Sequence, residues 1–121
     1  NNLVRTMYSM PPDHGAAVVE TILHDEKLRT RWVEELGEMR ERLHDMRQLL
    51  NDALRAEAPE HDFSHVVRAR GMFCFLGIST ERVRRLKKDH ALYMVDSCRI
   101  NIAGITAANV GHIARSVAAV L

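Results

Sequence analysis

Ser97-Cys98-Arg99-Ile100-Asn101-Ile102-Ala103-Gly104 places isoleucines at every second position behind one arginine, the alternation of a half-buried β-strand with a cation at its head. A guanidinium is permanently charged and presents a planar fork of donors that matches a carboxylate in two parallel hydrogen bonds. Arg99 is therefore a candidate acid-binding residue, although on spacing alone an arginine at a strand start is far more often a solvated rim residue. Upstream, Gly71-Met72-Phe73-Cys74-Phe75-Leu76-Gly77 is a glycine-bounded, aromatic-rich run that reads as a second strand over Met72–Leu76.

Ser79 then has the chemistry of a helix N-cap for a segment whose Val83 and Leu86 share a face. Tyr93–Val95 reads as a short strand, Arg99–Ala103 as the next. Thr106 caps a last helix that turns Val110, Ile113, Val117 and Leu121 to the core. Towards the N-terminus, Pro11-Pro12 forbids helix before it and can open one after it, with Ala16, Val19, Ile22 and Leu23 at helical spacing. Asp25 caps a new start. From there Leu28, Trp32, Leu36, Met39, Leu43, Met46, Leu50 and Ala53 form one apolar stripe of a long amphipathic helix reaching about Glu57. Glu34, Glu38, Glu41, Arg42, Asp45 and Arg55 occupy its polar side. Gly37 is costly in a helix interior and marks a close packing contact or a bend. Pro59–Ser64 reads as a loop in which Asp62 caps a short turn through Arg70. This order of elements predicts an α/β fold, helices packed on a small sheet in two layers, with no linker long enough to divide it.

With 121 residues, 46% of them hydrophobic, the chain is long enough for one core and too apolar for intrinsic disorder. Its 17 basic and 16 acidic residues leave a net charge of +1, so no field favours nucleic acid or an anionic membrane. No apolar run approaches the roughly 18 to 20 residues of a membrane span. The basic run Glu81–Lys88 spreads its charges around a helix and reads as a solvated face. Cys74 and Cys98 fall in strands without metal-ligand spacing and read as reduced, buried thiols of an intracellular protein. His61 and His65 have an i, i+4 relation but no third ligand beside them. There is no nucleophile elbow and no phosphate-cradling glycine loop.

Taken with Arg5-Thr6-Met7-Tyr8-Ser9-Met10-Pro11-Pro12, the two strand segments resemble three motifs of aspartate and aromatic amino acid aminotransferases, in the same order and at compatible spacing. The family patterns are Arg-x-x-Tyr-Ser-Asn-Pro-Pro, Gly-Met-Phe-Ser-Phe and Ser-Gly-Arg-(Val/Ile)-Asn-(Val/Ile)-Ala-Gly, from which Met10, Cys74 and Cys98 depart. Replacing the glycine before Arg99 adds a Cβ, which is strained if the backbone there has positive φ.

The resemblance implies the small C-terminal domain of a fold type I, pyridoxal-phosphate-dependent class I transferase over residues 1–121, with the large cofactor-binding domain outside this chain. It implies a cytoplasmic homodimer that moves amino groups between aspartate, glutamate or aromatic amino acids and 2-oxo acids. By the same resemblance Arg99 binds the substrate α-carboxylate and so orients the Cα–H bond. Arg5 reaches across the dimer to a side-chain carboxylate, and Phe73 is either a wall of the substrate pocket or a core aromatic. Lys27, Lys87 and Lys88 lie in polar helical runs, and none matches the family's Schiff-base lysine, which precedes the Arg5 motif. Pyridoxal phosphate is thus expected in the full-length parent and not on this chain, which should be inactive alone. The chain opens on Asn1 rather than Met, as a fragment would. The rival reading is a non-catalytic interaction or dimerisation domain that keeps the same fold.

Overall fold

A computed structural model describes Thr6, Met7 and residues 12–121. The chain forms two compact units, the first through Met39 and the second from Arg40 to Leu121.

The first unit contains helix α1, His14–His24, and the opening turns of helix α2, Glu26–Glu57. Asp25 separates the two helices as its chemistry predicts: Oδ1 accepts the N–H groups of Lys27 at 2.9 Å and Leu28 at 3.0 Å, satisfying two donors that a helix start leaves free. The apolar stripe of α2 behaves differently along its length. Leu28, Trp32, Leu36 and Met39 are all exposed, whereas Leu50 and Leu54 are completely buried. A Cβ on Gly37 would meet nothing within 4 Å, so this glycine marks no close packing contact.

In the second unit, α2 lays Arg47, Leu50, Asn51 and Leu54 against the core, a face rotated slightly from the expected one through Met46 and Ala53, which sit half-buried at its edge. Helix α3, His65–Arg68, follows a loop whose Asp62 carboxylate takes the N–H of Ser64 at 2.8 Å. Strands β1, Phe73–Phe75, and β2, Arg99–Asn101, pair antiparallel with Phe73 opposite Asn101, Cys74 opposite Ile100 and Phe75 opposite Arg99. Helix α4, Thr80–His90, starts where Ser79 Oγ accepts from Arg82 N–H, as its sequence predicts. Its Val83 and Leu86 join Leu76, Ile102 and the face of helix α5, Val110–Ala118, that carries Ala114 and Val117. Burial of each such leucine or isoleucine contributes about 1.5–3 kcal/mol.

Two expectations about strands change. Tyr93–Val95 keeps its alternation, Tyr93 and Val95 exposed with Leu92 and Met94 half-buried, yet it pairs with no strand among the described residues. β2 stops at Asn101, whose side chain accepts from Ala103 N–H at 3.0 Å and turns the backbone into a 3₁₀ turn, Ile102–Gly104. The N-cap of α5 is Asn109 rather than Thr106; the two exchange side-chain acceptors just before the helix, Asn109 N–H to Thr106 Oγ1 at 3.2 Å and Thr106 N–H to Asn109 Oδ1 at 2.8 Å. Both cysteines are buried free thiols. Among the described residues, no helix is long and apolar enough to cross a membrane.

Candidate substrate-binding site

The sheet register decides which side chains meet. Phe73, Phe75, Arg99 and Asn101 are exposed, while Cys74 and Ile100 point towards the core side. On that outer side the Arg99 guanidinium lies over the Phe73 ring, 4.8 Å from its centroid, a cation–π contact between diagonal neighbours of the ladder. Phe73 is 47% exposed and does not belong to the core.

Arg99 and Phe73 open onto a cleft of about 390 Å³ lined also by Leu92, Tyr93, Met94, Val95, Ile100, Asn101, Gly104, Ile105 and Ile113. Its wall is mainly apolar with one cation, the composition of a site that encloses an organic acid. The turn leading into Arg99 is pinned from both sides: Cys98 N–H donates to Val95 C=O and Leu76 N–H donates to Cys98 C=O, each at 3.0 Å. Cys98 has φ +58°, the left-handed conformation that a glycine adopts without strain.

Electrostatics leave Arg99 available. The acid nearest in sequence, Asp96, is held by Lys87 Nζ at 2.5 Å and faces Arg84 at 3.9 Å. The Lys87 hydrogen bond, then its charge, and then Arg84 keep the Asp96 carboxyl below its usual range. Among the described residues, the Arg99 guanidinium makes no hydrogen bond and no ion pair, so its donor fork can accept a carboxylate from outside the chain.

Arg5 lies outside the described residues. The other polar candidates serve the fold. His65 Nε2 sits 3.0 Å from Phe75 C=O, and because a carbonyl only accepts, that nitrogen carries the proton. His61 pairs with Glu60. On α4, Arg82 donates to the Leu121 carbonyl and Arg85 to that of Ala119, so part of its basic face is used internally.

Two arginines behind the site were not singled out for it from sequence. Arg42, placed on the polar face of α2, donates to the carbonyls of Ala103 at 3.3 Å and Ile105 at 3.2 Å. Arg47, only 3% exposed, donates to the carbonyls of Val66, Gly71 and Phe73. The spacing Leu43, Arg47, Leu50, Leu54 put Arg47 on the buried face and was the available signal.

A family model for aminotransferases of class I and II matches residues 1–117. The chain is 46% identical over 120 residues to an aspartate aminotransferase of Haemophilus influenzae, covering 99% of this chain and 30% of that protein. It is 42% identical over 118 residues to an aromatic-amino-acid aminotransferase of Escherichia coli, covering 98% of this chain and 30% of that protein. A crystal structure of the aromatic-amino-acid aminotransferase from Burkholderia pseudomallei, covalently bound to pyridoxal phosphate, superposes with a TM-score of 0.93 at 42% identity over 99% of this chain and 30% of that one. The chain thus belongs to the class I and II aminotransferase family and has the fold of the corresponding part of fold type I enzymes. It spans about 30% of the length of the curated relatives it matches.

Its own lysines do not fit the attachment of pyridoxal phosphate. Lys27 is exposed in the first unit, Lys87 is engaged by Asp96, Lys88 is exposed on α4, and none lines the Arg99 cleft. An imine-forming lysine needs an unpaired, desolvated amine at the reacting centre.

Proposed function

We propose that this chain is the small C-terminal domain, residues 1–121, of a homodimeric, cytoplasmic, pyridoxal-phosphate-dependent aminotransferase. The full-length protein exchanges amino groups between aspartate, glutamate or aromatic amino acids and 2-oxo acids. Arg99 binds the substrate α-carboxylate, Phe73 backs the guanidinium as part of the pocket wall, and Arg5 reaches the neighbouring subunit's site to meet a side-chain carboxylate. The cofactor belongs to the rest of the full-length protein, so the chain alone is inactive.

The observation that carries this reading is the guanidinium of Arg99, unpaired among the described residues and backed by Phe73 at 4.8 Å at the mouth of a mainly apolar cleft. Holding the α-carboxylate in a bidentate pair fixes the substrate's rotation about its Cα, which is the positioning that deprotonation there requires. An apolar wall receives an aromatic side chain, and a second cation from Arg5 accounts for acidic ones.

The test is a substrate pair in the full-length protein, phenylalanine against 2-phenylethylamine, which lacks only the carboxylate. A site built around that group discriminates by on the order of 10³-fold or more in kcat/KM. Turnover of the amine within about tenfold of the amino acid refutes a carboxylate-binding role for the site.

A further inference from the structure

The hydrogen bonds of the ladder show that β1 has one edge facing away from β2. Ile102 N–H donates to Met72 C=O at 2.9 Å, and Leu76 N–H to Cys98 C=O at 3.0 Å. Phe73–Asn101 and Phe75–Arg99 are therefore the non-hydrogen-bonded pairs, in which each residue's own C=O points away from the partner strand. Phe73 and Phe75 thus present their carbonyls along the free edge. Unpaired edge groups leave a short strand free to slip or fray.

Both carbonyls are taken by side chains. His65 Nε2–H donates to Phe75 C=O at 3.0 Å. Arg47 donates through Nη2 to Phe73 C=O at 3.2 Å and to Gly71 C=O at 2.6 Å, and through Nη1 to Val66 C=O at 2.8 Å. These three acceptors come from the first turn of α3, from a turn where Gly71 has φ +80°, and from β1. A single planar, nearly buried fork on α2 therefore fixes the approach to β1 and the main chain of the residue whose ring lies beneath Arg99. Among the described residues no carboxylate pairs with Arg47, so all of its hydrogen bonds go to the backbone it holds. An arginine that served only to bury a charge would recruit an acid.

We propose that Arg47 is a positioning residue of the carboxylate site, setting through the Phe73 main chain the platform that aims the Arg99 guanidinium. This deepens the reading of Arg99 given above and rests on it. Arg47 touches no substrate. Its effect on binding passes through Phe73 and disappears when the Phe73 ring is gone.

The experiment uses the full-length protein and the dissociation constant of 3-phenylpropionate, a probe with one carboxylate and no amino group, so that it reads the acid site without chemistry. Arg47→Met removes all three donations, and Arg47→Lys, which keeps the charge but loses the fork, carries the test if the methionine variant does not fold. Either substitution is expected to weaken the probe by roughly 2- to 5-fold, the size of an exposed cation–π contact. In a Phe73→Leu background the same substitution should produce no further loss. A merely structural role would lower stability in both backgrounds and leave that coupling absent. Unchanged affinity in the Arg47 variants, or an equal additional loss in the Phe73→Leu background, overturns the proposal. Arg99→Lys is the control that separates the two claims: if it leaves probe affinity unchanged, the carboxylate site itself is refuted and the role of Arg47 falls with it.

Discussion

Cys98 stands in the left-handed region at φ +58°, one residue before Arg99, with only 8% of its surface exposed. Comparing Cys98→Gly with Cys98→Ala isolates the backbone contribution, because both remove the same buried thiol. A left-handed residue with a Cβ costs about 1–2 kcal/mol, which glycine avoids. Glycine loses about 0.5–1 kcal/mol through the greater freedom of its unfolded chain. The difference leaves the glycine variant about 0.5–1 kcal/mol more stable than the alanine variant, the reverse of the order at an ordinary φ. In urea unfolding of this chain followed by far-ultraviolet circular dichroism, a slope near 1.5 kcal/mol/M puts the glycine midpoint roughly 0.5 M higher. An alanine variant equal to or more stable than the glycine variant refutes the assigned strain.

Arg5→Ala in the full-length enzyme should lower kcat/KM for aspartate and glutamate strongly while nearly sparing phenylalanine, since only a side-chain carboxylate loses its partner; equal losses place Arg5 outside the substrate site. This chain alone, incubated with pyridoxal phosphate and treated with borohydride, should retain no stoichiometric cofactor at Lys27, Lys87 or Lys88 by mass spectrometry; modification of one of them at full occupancy contradicts the assignment of the cofactor to the rest of the protein. Asp96 has its carboxyl lowered by the Lys87 hydrogen bond, so its folded state binds protons less readily than the unfolded chain. The stability it contributes is present above the ordinary carboxylate range and is lost as pH falls through the lowered value. Asp96→Asn should remove that part of the acid dependence in pH-resolved unfolding, and an unchanged profile rules it out.

The helices and the two-stranded core of the fold were legible because capping chemistry and periodicity are local. Asp25 and Ser79 cap where their side chains predict, and Phe73–Phe75 and Arg99–Asn101 lie within the two segments whose pattern reads as strand. What stayed hidden depends on partners distant in sequence. Tyr93–Val95 has a strand's alternation, but pairing is a property of two segments, and no described strand lies beside it. The exposed half of the α2 stripe, Leu28 to Met39, carries the same periodicity as its buried half, since periodicity reports a face and not what covers it. At the site, Arg99 and Phe73 could be named from motifs. Their stacking follows from register, and the three carbonyls that Arg47 holds come from segments 19 to 26 residues away.

The central claim, that Arg99 is a carboxylate clamp, is tested most directly by Arg99→Lys in the full-length enzyme with aspartate and phenylalanine as amino donors. Lysine keeps the charge and gives up one of two charge-assisted hydrogen bonds, about 1.5–3 kcal/mol, together with the stacking on Phe73, about 0.5–1 kcal/mol. The sum, about 2–4 kcal/mol, corresponds to a fall in kcat/KM of roughly 30- to 1000-fold. The account predicts that loss for both substrates alike, because both carry the α-carboxylate; a kcat/KM within about threefold of wild type for either one contradicts it.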